Sequence, residues 1–429
     1  MNWTESNLGQ VADINPRSRD WTTLPPETPV SFVPMSAISQ KTASITEMDV
    51  RPLAEVRKGF TPFRDNDVLF AKITPCMENG KAALATNLQN GIGFGSTEFH
   101  VLRARGGNLP KFIYYFVRQS EFRKAARQRF RGAAGQQRVP EDFLTSYPFP
   151  EVAPTEQRRI VRILEQADVL RQKRTEADTL ADRILPALFN HCFGEPTANS
   201  KGWPVSRLHE LADFVSGATP SKENAAFWNG EIPWVSPKDM KREELYDSID
   251  HVSEAALLES NLKRLPSDTT LIVVRGMILA HTVPVCLARV SVTINQDMKG
   301  LRPKAGATSE FLQWALLAQH SGLLRLVSTA AHGTRKLDID SLRNLQIPVP
   351  PPPQRDLIKK WTVIVREQQA LASKRAKCRE SIEQIWRTLL QRAFTGALTA
   401  QWREAHMKEL FAEMEQQARL LHSSPNGRN

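Results

Sequence analysis

Two short loops carry residue types suited to the edge of a nucleic-acid base. RGAAGQQR (131–138) and AAHGTRK (330–336) are built of small residues and end in amides, hydroxyls and bases. Glycine lets a backbone approach DNA closely. Glutamine can pair bidentately with adenine, and arginine with guanine. Arg131, Gln136, Gln137 and Arg138 in the first loop, and Thr334, Arg335 and Lys336 in the second, are therefore candidate DNA contacts. Lys72 and Arg275 pair as equivalent ends of two matched strand-like runs, DVLFAKI (67–73) and TLIVVRG (270–276). Lys81, Lys222 and Lys238 complete the candidate set, with Trp228 and Trp234 beside Lys238 read as core aromatics. Arg103 opens a stretch to Arg138 that holds ten basic residues against one acid, Glu121. That excess fits a helix and loop tracking phosphates.

Catalytic constellations do not emerge. The Gly-x4-Gly-Lys-Ser/Thr phosphate loop is missing, and SGATPSK (216–222) lacks its second glycine and its Gly-Lys pair. The Asn-Pro-Pro-aromatic motif of amino methylation is missing too, as are HExxH and GxSxG. GIGFGS (91–96) lies between strand-like runs and reads as a hairpin or bulge, not a cofactor loop. Glu141, Asp142, Asp338 and Asp340 read as helix caps and solvated carboxylates rather than a metal nuclease centre. Cys76, Cys192, Cys286 and Cys378 are scattered, which predicts reduced thiols and no zinc site. Apolar content of 41% and charged content of 24% are those of a globular protein. The net charge of +11 favours a polyanionic partner. With neither a signal-peptide pattern nor a long apolar run, a cytoplasmic protein away from the membrane is expected, and so nucleic acid rather than lipid.

The elements that must position these residues are written twice. Trp3 matches Trp203, LGQVADI (8–14) matches LHELADF (208–214), and STEFHVLR (96–103) matches NQDMKGLR (295–302). DVLFAKI (67–73) sits against TLIVVRG, and PEDFLTSYPFP (140–150) against DIDSLRNLQIP (338–348). EQRRIV (156–161) parallels PQRDLI (353–358), and LFNHCFG (188–194) parallels LLQRAFT (389–395). These matches keep their order and a near-constant offset, which predicts a tandem duplication. Each half opens with strand-like runs and a helical stretch, an α+β pattern, and ends in one long helix.

The helices carry an apolar repeat. In the first, Ile160, Ile163, Ala167, Leu170, Arg174, Ala177, Ala181, Ile184 and Leu188 alternate spacings of three and four. In the second, Trp361, Ile364, Gln368, Leu371, Arg375, Cys378, Ile382, Ile385 and Leu389 do the same. This predicts a coiled-coil seam with an arginine in the middle of each arm. Pro154 and the run PVPPPP (348–353) mark the starts of the arms. The expected segments are a first α+β domain (1–153), a first arm (154–197), a second α+β domain (198–352), a second arm (353–398) and a tail (399–429).

At this point the chain resembles a family. SGATPSKENAAFWNGEIPWVSPKDM, TLIVVRGMIL, EQRRIV, and FGEPTANSKGWP leading into the second copy look like the specificity (S) subunit of type I restriction-modification enzymes. The resemblance spans roughly residues 1–403. It implies two tandem α/β target-recognition domains separated by two long antiparallel coiled-coil helices, with a pseudo-twofold internal repeat. It further implies that each domain reads one half of a split double-stranded DNA target. The arms would dock two methyltransferase (M) subunits, joined by restriction (R) subunits; Ile163, Leu170, Ile184, Leu188, Ile364, Leu371, Ile385 and Leu389 are the residues assigned to seam and docking. No cofactor is expected on this chain, with S-adenosylmethionine, ATP and Mg confined to partners. One departure is that PVPPPPQR lacks the acidic residue that EVAPTEQR keeps at Glu156, and little effect is expected from it. Arms of about 38 residues would span roughly 57 Å, long enough to set readers a turn of B-DNA apart. The alternatives are a stand-alone DNA-modifying or DNA-cleaving enzyme and a structural coiled coil.

Overall fold

A computed structural model describes residues 3–17, 20–133, 135–329 and 333–423. The chain folds as two compact units: Met1–Glu176 with Lys377–Asn429, and Ala177–Ala376.

The first unit has a four-stranded antiparallel sheet in the order Ala12–Ile14, Phe99–Ala104, Val68–Ala71, Ala82–Leu84. A second sheet runs Asp49–Pro52, Pro29–Val33, Ile92–Gly95, Thr61–Arg64, its central pair parallel. Val68, Leu69, Phe70 and Ala71 are all buried. The run is continuously apolar because both its faces are covered. GIGFGS is an interior strand of the second sheet, not the expected hairpin or bulge. Its glycines are there for close approach. A Cβ at Gly93 would lie 2.2 Å from the Phe63 ring, and one at Gly95 2.4 Å from the Val33 carbonyl.

The second unit repeats this order. Ala212–Ser216, Met298–Pro303, Thr269–Val273 and Val285–Ala288 form the same antiparallel run, with Glu244–Leu245 added at the edge. Asp250–Val252, Ile232–Val235 and Thr293–Ile294 form the second sheet, again with one parallel pair. A ribbon closes each unit, Glu5–Asn7 on Pro148–Pro150 and Val205–Arg207 on Gln346–Pro348. The duplication in sequence is thus a duplication of topology. Helices Pro110–Val117 and Ser309–Ala318 cover the main sheets.

The first arm is a helix Pro154–Ala181 followed by a second, Ile184–Phe193; the other arm is unbroken from Asp356 to Phe394. Both units contain a piece of each arm. In the first unit Arg171 binds Glu383 while Thr399 and Arg403 reach Glu156, so the pieces run antiparallel. In the second unit Arg375 meets Asp178 and Asp182, while the Trp361 ring lies 5.3 Å from Phe189, again antiparallel. Trp386, Leu390 and Ala393 belong to the first unit's core, and Phe189, Phe193, Trp361 and Val365 to the second's.

Half of the expected seam is corrected. The row Ile160, Ala167, Arg174, Ala181, Leu188 is turned inward or half-buried, as is Trp361, Gln368, Arg375, Ile382, Leu389. The companion rows lie four residues on, not three. They run through Leu164, Arg171, Asp178 and Leu185 on one arm, and through Val365, Ala372, Trp386 and Ala393 on the other. Leu170 is therefore 67% exposed, Leu371 48%, Ile184 44% and Ile385 59%. Ile163 and Ile364 are half-buried. The reason is chemical: the mid-arm positions that face inward hold charges, and paired charges leave no apolar trace in the sequence.

The segment after the second arm has a definite place in the first unit. Helices Ala400–Ala405 and Met407–Ser423 return to the start of the first arm. Glu156, 2% exposed, accepts from Thr399 Oγ1 (2.5 Å), Arg403 Nε (2.9 Å) and Trp3 Nε1 (3.2 Å). Glu413 accepts from the Thr155 backbone N–H (2.9 Å) and its hydroxyl, capping the arm's first turn. Arg403 lies over the Trp3 ring and Arg159 over Trp402. This gives the Glu156 difference a cause. Glu156 is the tail's anchor, and its counterpart, Pro353, starts an arm that no tail returns to within the described residues.

Candidate nucleic-acid interface

Each unit turns its candidate loop back onto the end of a main-sheet strand. In the first, Arg131 and Arg138 pair across the loop, and Arg138 pairs with Ile73 beyond strand Val68–Ala71. In the second, Val327–Thr329 and Arg335–Leu337 form a two-stranded ribbon, and Lys336 pairs with Arg275 beyond strand Thr269–Val273. Backbone bonds fix the correspondence. Val139 N–H donates to Lys72 O and Leu337 N–H to Val274 O, both at 2.9 Å. Lys72 thus matches Val274, and Arg275 matches Ile73, a one-residue correction to the pairing of Lys72 with Arg275.

The fold gathers Lys72, Gln136, Gln137 and Arg138 at one edge of the first unit. It gathers Arg275, Thr334, Arg335 and Lys336 at the equivalent edge of the second. Gln136, Arg275 and Lys336 are exposed, and Gln137 and Thr334 half-buried. Arg335 donates to Thr329 Oγ1 at 2.6 Å. Ala134 and residues 330–332 of the two loops lie outside the described residues.

Other candidates are committed elsewhere. Arg103 grips Asp67 with two bonds of 2.7 and 2.8 Å; the carboxylate is buried, so the guanidinium is structural. Arg138 grips Glu98 the same way at 2.7 and 2.9 Å, which holds that carboxyl below its ordinary value. Lys81 donates to Met35 O at 2.8 Å. Lys238 holds Asp250 at 2.6 Å, while Lys222 is exposed. Trp234 is buried, with Trp228 edge-on at 5.0 Å, as expected of core aromatics.

The run from Arg103 to Arg138 is no continuous cationic face. Arg105 meets Asp13, Lys111 Glu165, Arg118 Asp168, Arg127 Glu78 and Arg131 Asp142, in addition to the two pairs above. All seven acids come from outside the run. Arg118, only 7% exposed, fastens the first unit's covering helix to its arm and lies over Tyr114, Tyr115 and Trp386. Burial pushes the Tyr114 phenol up to about 12.

Sequence reasoning missed His100 and Lys299, which occupy one position of the duplicated sheet, opposite Phe70 and Ile272. His100 Nδ1 accepts from Asn15 Nδ2 (3.0 Å) and Nε2 donates to Val139 O (2.8 Å). Burial holds its imidazole below the usual value. Lys299 donates to Ser216 Oγ at 2.6 Å, and burial lowers its ammonium likewise. Glu141 accepts from Asn15, Asp142 is bound to Arg131, and Asp338 caps helix Ile339–Arg343 through Ser341 N–H. Among the described residues no group of His, Cys, Asp and Glu could hold a metal ion. No described helix is long and apolar enough to cross a membrane.

These features define a duplicated α+β chain, each of whose two units contains a piece of both long helical arms. The chain matches the model of the type I restriction modification DNA specificity domain over residues 1–177 and again over 200–370. It belongs to the type I restriction-modification specificity-subunit family. It is 38% identical over 160 residues to the type I restriction enzyme EcoEI specificity subunit of Escherichia coli, covering 37% of this chain and 26% of that one. It is 30% identical over 249 residues to the EcoR124I/EcoR124II specificity subunit of Escherichia coli, covering 56% and 59%. The matched regions therefore span less than two thirds of these relatives. The fold is similar to a chain solved in work on assembly and conformational transition of the type I R-M system (TM-score 0.62, 21% identity, 92% of this chain and 98% of that one). It is also similar to a type I restriction-modification S subunit from M. genitalium (TM-score 0.52, 17% identity, 92% and 96%).

Proposed function

We propose that this chain is the DNA-reading subunit of a type I restriction-modification complex, with each unit reading one half of a bipartite double-stranded target. The observation that carries this reading is the repeated interface. The same strand order ends twice in a loop that is paired to a strand end and that gathers amides, hydroxyls and cations at one edge. Phosphate contacts fix a protein's register on DNA, and base-edge contacts select the sequence. Lys72, Gln136 and Gln137 in one unit, and Arg275, Thr334, Arg335 and Lys336 in the other, are the groups for those tasks.

The chain performs no covalent step in this scheme. S-adenosylmethionine, ATP and Mg belong to the partners, and the complex works in the cytoplasm. Two methyltransferase subunits dock along the arms, where Val169, Leu170, Leu180, Ile184, Val363, Leu371 and Ile385 are exposed, and restriction subunits join that core. The test is a genome-wide methylation map of the source strain with and without this gene, in cells expressing the methyltransferase subunit. Loss of N6-methyladenine from one split motif is the expected result. An unchanged map would overturn the proposal.

A further inference from the structure

The second unit presents an apolar turn where a solvated loop would ordinarily be polar. Strand Thr269–Val273 leads through Arg275 and Gly276 into the single turn Met277–Ala280. Met277 is 65% exposed and Ile278 41%, while Leu279 beneath them is 1% exposed. The turn is built rather than loose. Leu279 N–H bonds Gly276 O at 3.2 Å, His281 N–H bonds Ile278 O at 3.1 Å, and Thr282 N–H bonds the same carbonyl at 3.0 Å. Gly276, at φ +136°, makes the entry, and a Cβ there would already touch Ile278 Cγ2 at 3.9 Å. Two exposed cations adjoin it along the backbone: Arg275 directly precedes Gly276, and Lys336 pairs with Arg275, while Gly276 N–H donates to the carbonyl of half-buried Arg335 at 3.0 Å.

Exposed apolar side chains flanked by guanidinium and ammonium groups fit a DNA groove, where phosphates meet the cations and base surfaces meet the apolar tip. We propose that Met277 and Ile278 contact apolar base surface in the second half-site, and so determine specificity there. This rests on the DNA-reading function above. Apolar base surface is available either as a thymine methyl in the major groove or as a base step opened by a wedge.

The experiment measures DNA binding by the complex assembled with its methyltransferase subunits, as a function of salt. The proteins compared are wild type, Met277→Ala with Ile278→Ala, and Lys336→Gln. The apolar double variant is expected to lose roughly tenfold in preference for the cognate second half-site, with an unchanged salt slope. Lys336→Gln is expected to lower the slope by about one. Replacing thymine by deoxyuridine in that half-site reproduces the double variant's loss if methyls are read. A 2-aminopurine signal from an opened step identifies the wedge instead. Full preference in the double variant overturns the proposal, and so does loss of methyltransferase assembly, which would make the turn a subunit contact. A wild-type complex with no sequence preference would overturn the function itself, not this inference alone.

Discussion

Cations that look alike in sequence have opposite roles. Arg103 neutralises Asp67, which is 1% exposed, whereas Lys336 and Arg275 face outward. Removing one partner of a buried pair strands the other charge, so Arg103→Gln should cost about 3–5 kcal/mol, seen as a lower denaturation midpoint. Lys336→Gln should leave that midpoint unchanged. Equal stability of both variants would contradict the assignment of Arg103 to structure. His100 makes a pH-dependent contribution. Its folded pKa lies below the ordinary value because burial disfavours the imidazolium. The unfolded chain therefore binds the proton more readily, and stability present above about pH 6.5 is lost as pH falls toward the folded pKa. His100→Gln should flatten the pH dependence in that window by up to about 1.4 kcal/mol per pH unit, measured as the wild-type-minus-variant difference in unfolding free energy. An unchanged difference from pH 7 to 5 would exclude the buried neutral form. The candidate loops were legible because glycine, amide and guanidinium lie together in sequence. The neutralisation of the basic run was not, because Asp67 and Asp168 are 36 and 50 residues from Arg103 and Arg118.

Among the elements, the arms show how periodicity can be half right. A seven-residue repeat was readable from Ile160 and Trp361, and that row is inward. The second row was assigned to the apolar residues three further on, yet Arg171 and Asp178 on the next position are the ones enclosed, matched by Glu383 and Arg375. Substitution separates the two readings. Leu170→Asp should change stability by no more than about 0.5 kcal/mol, because the side chain is already exposed. Leu164→Asp, fully buried in the first unit's core, should cost about 4 kcal/mol or more. Comparable losses would restore the three-residue seam. The tail was legible as helix but not as a contact, since its partners Trp3, Thr155 and Glu156 lie some 240 or more residues away in sequence. Glu156→Gln should cost about 3 kcal/mol, because Arg403 would be left without its carboxylate. Glu413→Ala should cost about 1 kcal/mol as a lost helix cap. Limited proteolysis after residue 399 reports both, since a released tail is cut faster.

Across the whole molecule, the duplication was readable because both copies kept their order and spacing, but the ownership of the arms was not. Sequence order assigns each arm to the domain before it. The cores assign Trp386, Leu390 and Ala393 to the first unit and Phe189 and Phe193 to the second, so each unit is completed by helix encoded elsewhere in the chain. This alters what modular exchange requires. Replacing residues 1–153 with another reader should change one half-site and leave the other intact. It also sets foreign side chains against Trp386, which lies 6.0 Å from Tyr115, and against Phe394, 4.9 Å from Phe112. The exchange should therefore lower the melting temperature by several degrees, on the order of 2–4 °C per kcal/mol lost. Exchanging residues 377–423 together with 1–153 should recover most of that loss without altering the new half-site. If the single exchange were as stable as the double, the distal second arm would be a passive spacer. If the double exchange changed both half-sites, recognition would not be divided between the two units.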